Sequence, residues 1–153
     1  MANDEGTTVL IEQAMVTALV ALKVFKTADL WMYQISADEG GMEAFDKFAP
    51  FAFPKYVPAT DSNREGDGDL NQHYRFGILI GQASKERGVA RIGNASKLGI
   101  SKIRDLVIAL FDDWHPGSGF DCDNFYYDGE ELEFESPNKY ALIIYFKANR
   151  ITN

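Results

Sequence analysis

The 153-residue chain reads as an α+β protein, a mainly antiparallel sheet packed with two principal helices. Three observations predict this. Residues 100–114 put Ile100, Ile103, Leu106, Val107, Leu110, Phe111 and Trp114 on one face at helical three/four spacing, with Lys102, Arg104, Asp105, Asp112 and Asp113 opposite. Residues 9–26 repeat the pattern with Ile11, Met15, Ala18, Leu19 and Leu22. Residues 73–84 and 139–149 instead alternate with period two, as half-buried or doubly buried strands do.

The elements follow in order. Residues 1–8 read as a solvated leader before a single domain over 9–153. Thr8 is the expected N-cap of the first helix, with Glu12 in its first turn and Lys23 and Lys26 in its last, as the helix dipole prefers. The aromatic run 30–35 predicts a strand, and the paired glycines of 38–42 a turn. Three prolines in 45–58 predict at most an edge strand over 52–57, because each removes a ladder donor. The same stretch gathers Phe45, Phe48, Phe51, Phe53 and Tyr56, too apolar for a free loop, so it caps the core or meets another subunit.

Residues 61–72 are polar and charged, the expected mobile loop. In the strand after it, Tyr74, Phe76, Ile78 and Ile80 face a core, while Gly77 and Gly81 predict close approach of something bulky. Residues 85–97 form a basic-polar connection into the amphipathic helix, which Pro116 and Gly117 are expected to end. Asp128-Gly129 signals a tight hairpin, and Leu132 and Phe134 alternate with glutamates as in a half-exposed strand. The last strand carries Tyr140, Leu142, Ile144 and Phe146 on one face and Ala141, Ile143 and Tyr145 on the other. It should therefore be central or covered on both sides.

The formal net charge of −8 disfavours groove-type nucleic-acid binding, because such a surface repels phosphate. It remains compatible with a wall that DNA merely passes. One cysteine, Cys122, excludes an internal disulfide framework and fits a reducing, cytosolic setting. The first residues lack a signal-peptide layout, and the apolar run 9–25 is interrupted by Glu12, Gln13, Thr17 and Lys23, so no membrane span is expected.

Reactive groups are few. Cys122 lies between Asp121 and Asp123, whose charges oppose a thiolate. His115 reads as a helix-end residue beside a turn. The set Asp112, Asp113, His115, Asp121, Cys122 and Asp123 matches no zinc spacing. Residues 61–72 resemble a calcium loop only in part, with Gln72 where the closing glutamate belongs and Gly68 in the place of the apolar anchor. Residues 93–99 precede a helix but lack the ending of a phosphate loop. Lys85, Arg87, Arg91 and Lys97 bracket that loop as a local basic patch or as ordinary surface charge. No catalytic residue, metal or cofactor is expected, which favours a structural or docking role over an enzyme.

The first helix with its ending 21–25, the strand 73–80, the helix 99–114 with its exit at 114–117, and the strand pair 134–147 together resemble phage tail terminator proteins, the Mu-like contractile-tail group. Residues 45–58 fall outside the match. The resemblance implies a tail-terminator-like subunit of a hexameric ring that caps the tail tube, ends tube and sheath growth and offers the head–tail joining surface. Its implied partners are further copies of the chain, the tube, the sheath and the head-side connector, with DNA passing through the ring and no membrane. The implied location is the virion tail, assembled in the host cytoplasm. Expected contact residues are Phe48, Phe51, Phe53 and Tyr56 in the aromatic segment, Arg64, Asp67 and Asp69 in the loop, and Lys102, Arg104 and Asp105 on the helix. Two other readings stand beside it. One is a head-completion or baseplate adaptor; the other is a small ligand-binding protein or enzyme using His73, His115 or the 121–123 loop.

Overall fold

A computed structural model describes residues 6–35, 39–58, 64–65, 69–70 and 73–150. The fold class is the expected α+β one. Its elements are α1 (Thr7–Ala21), β1 (Thr27–Ala28), α2 (Glu39–Phe48), β2 (Phe51–Tyr56), β3 (Arg64–Glu65), β4 (Asp69–Leu70), β5 (His73–Ala83), α3 (Val89–Ile92), α4 (Ile100–Phe111), β6 (Tyr126–Glu135) and β7 (Lys139–Asn149). The main sheet runs β1-β2-β5-β7-β6; only the short β1–β2 pair is parallel. The last strand is thus interior, as its two apolar faces required.

One sheet face packs on α1 and α4. Ile11, Met15 and Leu19 from α1 and Ile103, Val107 and Phe111 from α4 are fully buried against Phe76, Ile78, Ile80, Ile144 and Phe146. Each such side chain removed from water contributes about 1.5–3 kcal/mol. On the opposite face Phe45, Phe51, Phe53, Leu79 and Ala141 form a second core, flanked by Trp31, Ile35 and Phe48.

Gly77 and Gly81 account for the close packing of that second face. A Cβ on Gly81 would sit 2.2 Å from the Phe51 ring, and one on Gly77 would sit 3.0 Å from Ile143. Glycine is required where a ring lies flat on a strand.

Several expectations need correction. Residues 30–35 form no strand; they run beside β2, where the Asp29 and Trp31 N–H groups donate to the Ala52 and Pro54 carbonyls at 3.2 and 3.3 Å. Gly40 and Gly41 lie inside α2 rather than in a turn, because Phe45 and Phe48 gain a core to pack on. β2 is paired on both flanks despite Pro54. In a strand, N–H and C=O of one residue point the same way, so the donor missing at Pro54 faces the sparsely bonded 29–31 flank and leaves the β5 ladder intact. Thr8 caps nothing: the N-cap of α1 is Gly6, Glu12 lies beyond the first turn, accepting from the Tyr56 N–H at 2.6 Å, and Lys23 and Lys26 follow the helix end at Ala21 rather than filling its last turn.

The amphipathic helix stops at Phe111, three residues short of Trp114. Asp113 takes a left-handed φ of 70°, and the chain then pairs with Phe125 through bonds of 2.7 and 2.6 Å, so Pro116 and Gly117 do not end the helix. Asp128-Gly129 is likewise no hairpin. It is a register irregularity within β6, with Gly129 at φ 98°, and the turn to β7 comes at residues 136–138. The 61–72 stretch holds the small antiparallel pair β3–β4. Residues 1–5, most of that stretch including Asp67, and Asp38 of the expected turn lie outside the described residues.

Candidate oligomer and docking surface

The ten expected contact residues do not form one surface. Phe51 and Phe53 are fully buried, stacked on each other with ring centroids 5.0 Å apart. They are core residues of the second sheet face; a partner could reach them only by opening the fold. Phe48 is half-buried with its ring edge-on to Phe53, and Tyr56 is half-buried against Phe76. Arg64 and Asp69 belong to β3 and β4, and Asp67 lies between the described strands.

On α4, Lys102 is exposed, whereas Arg104 is committed within the chain. Its Nε donates to Glu130 Oε1 at 2.6 Å and its Nη1 to Asp105 at 2.9 Å, and the Tyr127 hydroxyl donates to the same Glu130 oxygen at 2.6 Å. These bonds favour the charged forms: Glu130 lies below the usual carboxylate range because Arg104 holds its anion, and Arg104 is raised by the same bond. The cluster braces α4 against β6.

The groups considered for chemistry are tied into separate supports. The Gly117 N–H donates to His115 Nδ1 at 3.0 Å, which leaves Nε2 to donate to the Cys122 carbonyl at 2.9 Å. Cys122 is buried, and desolvation with Asp123 and Asp121 pushes its thiol up to about 11. His73 Nδ1 lies 2.6 Å from Asn149 Oδ1, and Asp123 accepts from the Asn149 backbone and side chain at 2.7 and 3.1 Å. These bonds tie the strand ends to the 121–123 loop. Among the described residues no three His, Cys, Asp or Glu side chains gather as a metal site, and no helix is long and apolar enough to cross a membrane.

Two surfaces look unfinished. β6 is the outer strand of the sheet; beyond it no strand is paired among the described residues. Its solvent edge shows Tyr126 and Leu132, 41% and 52% exposed, among Glu131, Glu133 and Glu135. At the far end of the sheet the 84–99 loop wraps the β6–β7 turn. Asn138 Nδ2 donates to the Ser84 and Lys85 carbonyls at 2.8 and 3.0 Å, and the Gly88 N–H donates to the Pro137 carbonyl at 2.8 Å. Recesses of about 450 and 440 Å³ lie there, one lined by Arg87, Arg91, Glu135 and Tyr140, the other by Lys85, Lys97, Lys139 and Asp46, which pairs with Lys139. The basic residues noted in the sequence therefore share one end of the molecule.

Sequence reasoning missed the exposed apolar residues Met32, Tyr33, Ile92 and Leu98. Ile92 and Leu98 stood among charges and glycines with no periodic pattern to place them. Met32 and Tyr33 belong to the run whose aromatic content predicts a strand; they instead sit on a bend where Gln34 Oε1 accepts from the Met32 N–H at 2.6 Å. No protein-family model matches the chain, and no curated protein sequence matches it.

Proposed function

We propose that the chain is the subunit of a homo-oligomeric ring, a tail-terminator-like structural protein that caps a phage tail tube, stops its growth and presents a surface for head joining. The observation that carries this reading is the open, ten-residue edge strand β6 with Tyr126 and Leu132 exposed along it. An unpaired strand edge with apolar side chains gains from being covered, and a ring covers one such edge in every copy. The acidic total fits a passage that DNA traverses without sticking. Met32 and Tyr33, at the opposite edge of the sheet, supply apolar area for a different contact, the tube or the head-side connector.

Electron microscopy of particles assembled without this chain tests the role. Tails of uncontrolled length, or tails without heads, are the expected result; normal joined particles overturn it. A head-completion or baseplate adaptor would instead leave tail length regulated. An enzyme built on His115 and Cys122 would lose its activity when both are replaced, whereas the structural subunit still assembles.

A further inference from the structure

A head-to-tail ring contact needs a second surface, different from the β6 edge and complementary to it. The 84–99 loop has the matching chemistry. Among the described residues Lys85, Arg87 and Arg91 make no ion pair, whereas Arg75, Arg104 and Arg150 each hold a carboxylate. In a chain of net charge −8, arginines lacking a carboxylate stand out. Ile92 and Leu98 stand among them, 75% and 43% exposed.

The loop is braced in this form. Asn94 Oδ1 accepts from the Ser96 and Lys97 N–H groups at 2.9 Å each, and the buried Gln82 donates to the Leu98 carbonyl at 2.8 Å. Gly93 and Gly99 press backbone to backbone; a Cβ on Gly99 would lie 2.4 Å from the Gly93 nitrogen. A surface fixed beforehand loses little entropy on binding.

We propose that this loop docks on the β6 edge of a second copy, with Arg87 and Arg91 meeting Glu131 and Glu133, and with Ile92 and Leu98 covering Leu132. The proposal rests on the ring reading and names its contact. Arginine forks suit carboxylates in pairs; the edge strand alternates carboxylate with apolar side chain, and the loop sets Ile92 beside Arg91 and Leu98 beside Lys97. A phosphate backbone would satisfy the arginines but leave Ile92 and Leu98 in water, so a protein surface fits better than a nucleic acid.

The test is charge exchange in the full chain, read by sedimentation at low and high salt. Arg87→Glu with Arg91→Glu, or Glu131→Lys with Glu133→Lys, should each weaken association by about tenfold or more, and the four changes together should restore much of it. Circular dichroism checks that each variant folds; Glu133→Lys alone spares the Glu131–Tyr145 bond and gives a second, milder reading. If the wild type assembles and the reversals change nothing, or the combination is no better than its parts, this contact is overturned and the ring reading survives. A wild type that stays monomeric throughout overturns both. Loss of duplex DNA binding in the arginine variant, with association unchanged, overturns the protein contact in favour of phosphate.

Discussion

Glu130 and Glu12 show how single carboxylates bind elements together with opposite pH signatures. Glu130 joins Arg104 of α4 to β6, and its ionised form is favoured on folding. A depressed folded pKa gives stability that is complete above the unfolded value and lost as pH falls through the folded one. Glu130→Gln should therefore cost about 1 kcal/mol at neutral pH, discounted for partial exposure, and the gap to wild type should close in acid. Urea melts at neutral and acid pH check it. Glu12 is raised, because burial outweighs the bond it accepts from the Tyr56 N–H. A raised carboxyl opposes folding as pH climbs past its unfolded value, in full above its folded one. Glu12→Gln should keep the bond and match or exceed wild-type stability at neutral pH, while Glu12→Ala orphans the N–H and should lose about 1–3 kcal/mol. Thermal melts of the two variants separate these outcomes.

Gly81 is the third residue-scale test. Phe51 lies where its Cβ would be, so Gly81→Ala should cost about 1–3 kcal/mol through displaced aromatic packing. Gly77→Ala, facing side-chain atoms at 3.0 Å or more, should cost less. Chemical denaturation ranks the pair; equal stabilities would contradict the packing described. The close approach at both positions was legible in the sequence, because glycine within an apolar strand has few other reasons to be there. The identity of the approaching ring was not, since Phe51 is distant in sequence and comes into place only through the β2–β5 register.

At the scale of elements, what could be read was periodicity and what could not was context. The buried stripe of α4 and the alternation of β5 and β7 follow from spacing alone, and all three elements stand close to where they were expected. The paired glycines of 38–42 predict a turn because Gly40 and Gly41 weigh against a helix; α2 forms over 39–48 because Phe45 and Phe48 pack against the sheet. Pro54 argued for an edge strand, yet a single missing donor is harmless on a flank with few bonds to lose. Asp128-Gly129 carried a turn signal, and the sheet uses it as a bulge in β6. Gly129→Ala should strain that bulge by about 1 kcal/mol, since φ there is 98°. If the bulge helps aim the edge strand, the same variant should weaken association more than it lowers thermal stability. Equal losses would make the bulge purely structural.

At the scale of the molecule, the candidate site was legible only in parts. The basic cluster at 85–97 was visible as charge, and the acidic alternation of β6 as pattern. Their exposure depended on the fold, which buried Phe51 and Phe53 and occupied Arg104. Burial depends on what other elements cover, and no local spacing encodes that. If copies of the chain join through the proposed contact, which mixes ion pairs with apolar area, their association should weaken with salt.

Sedimentation of the intact wild-type chain over a wide concentration range decides whether the chain assembles. A ring subunit should sediment as a closed assembly of six copies that dissociates as salt rises. A single species of one chain's mass at every concentration and salt would contradict it.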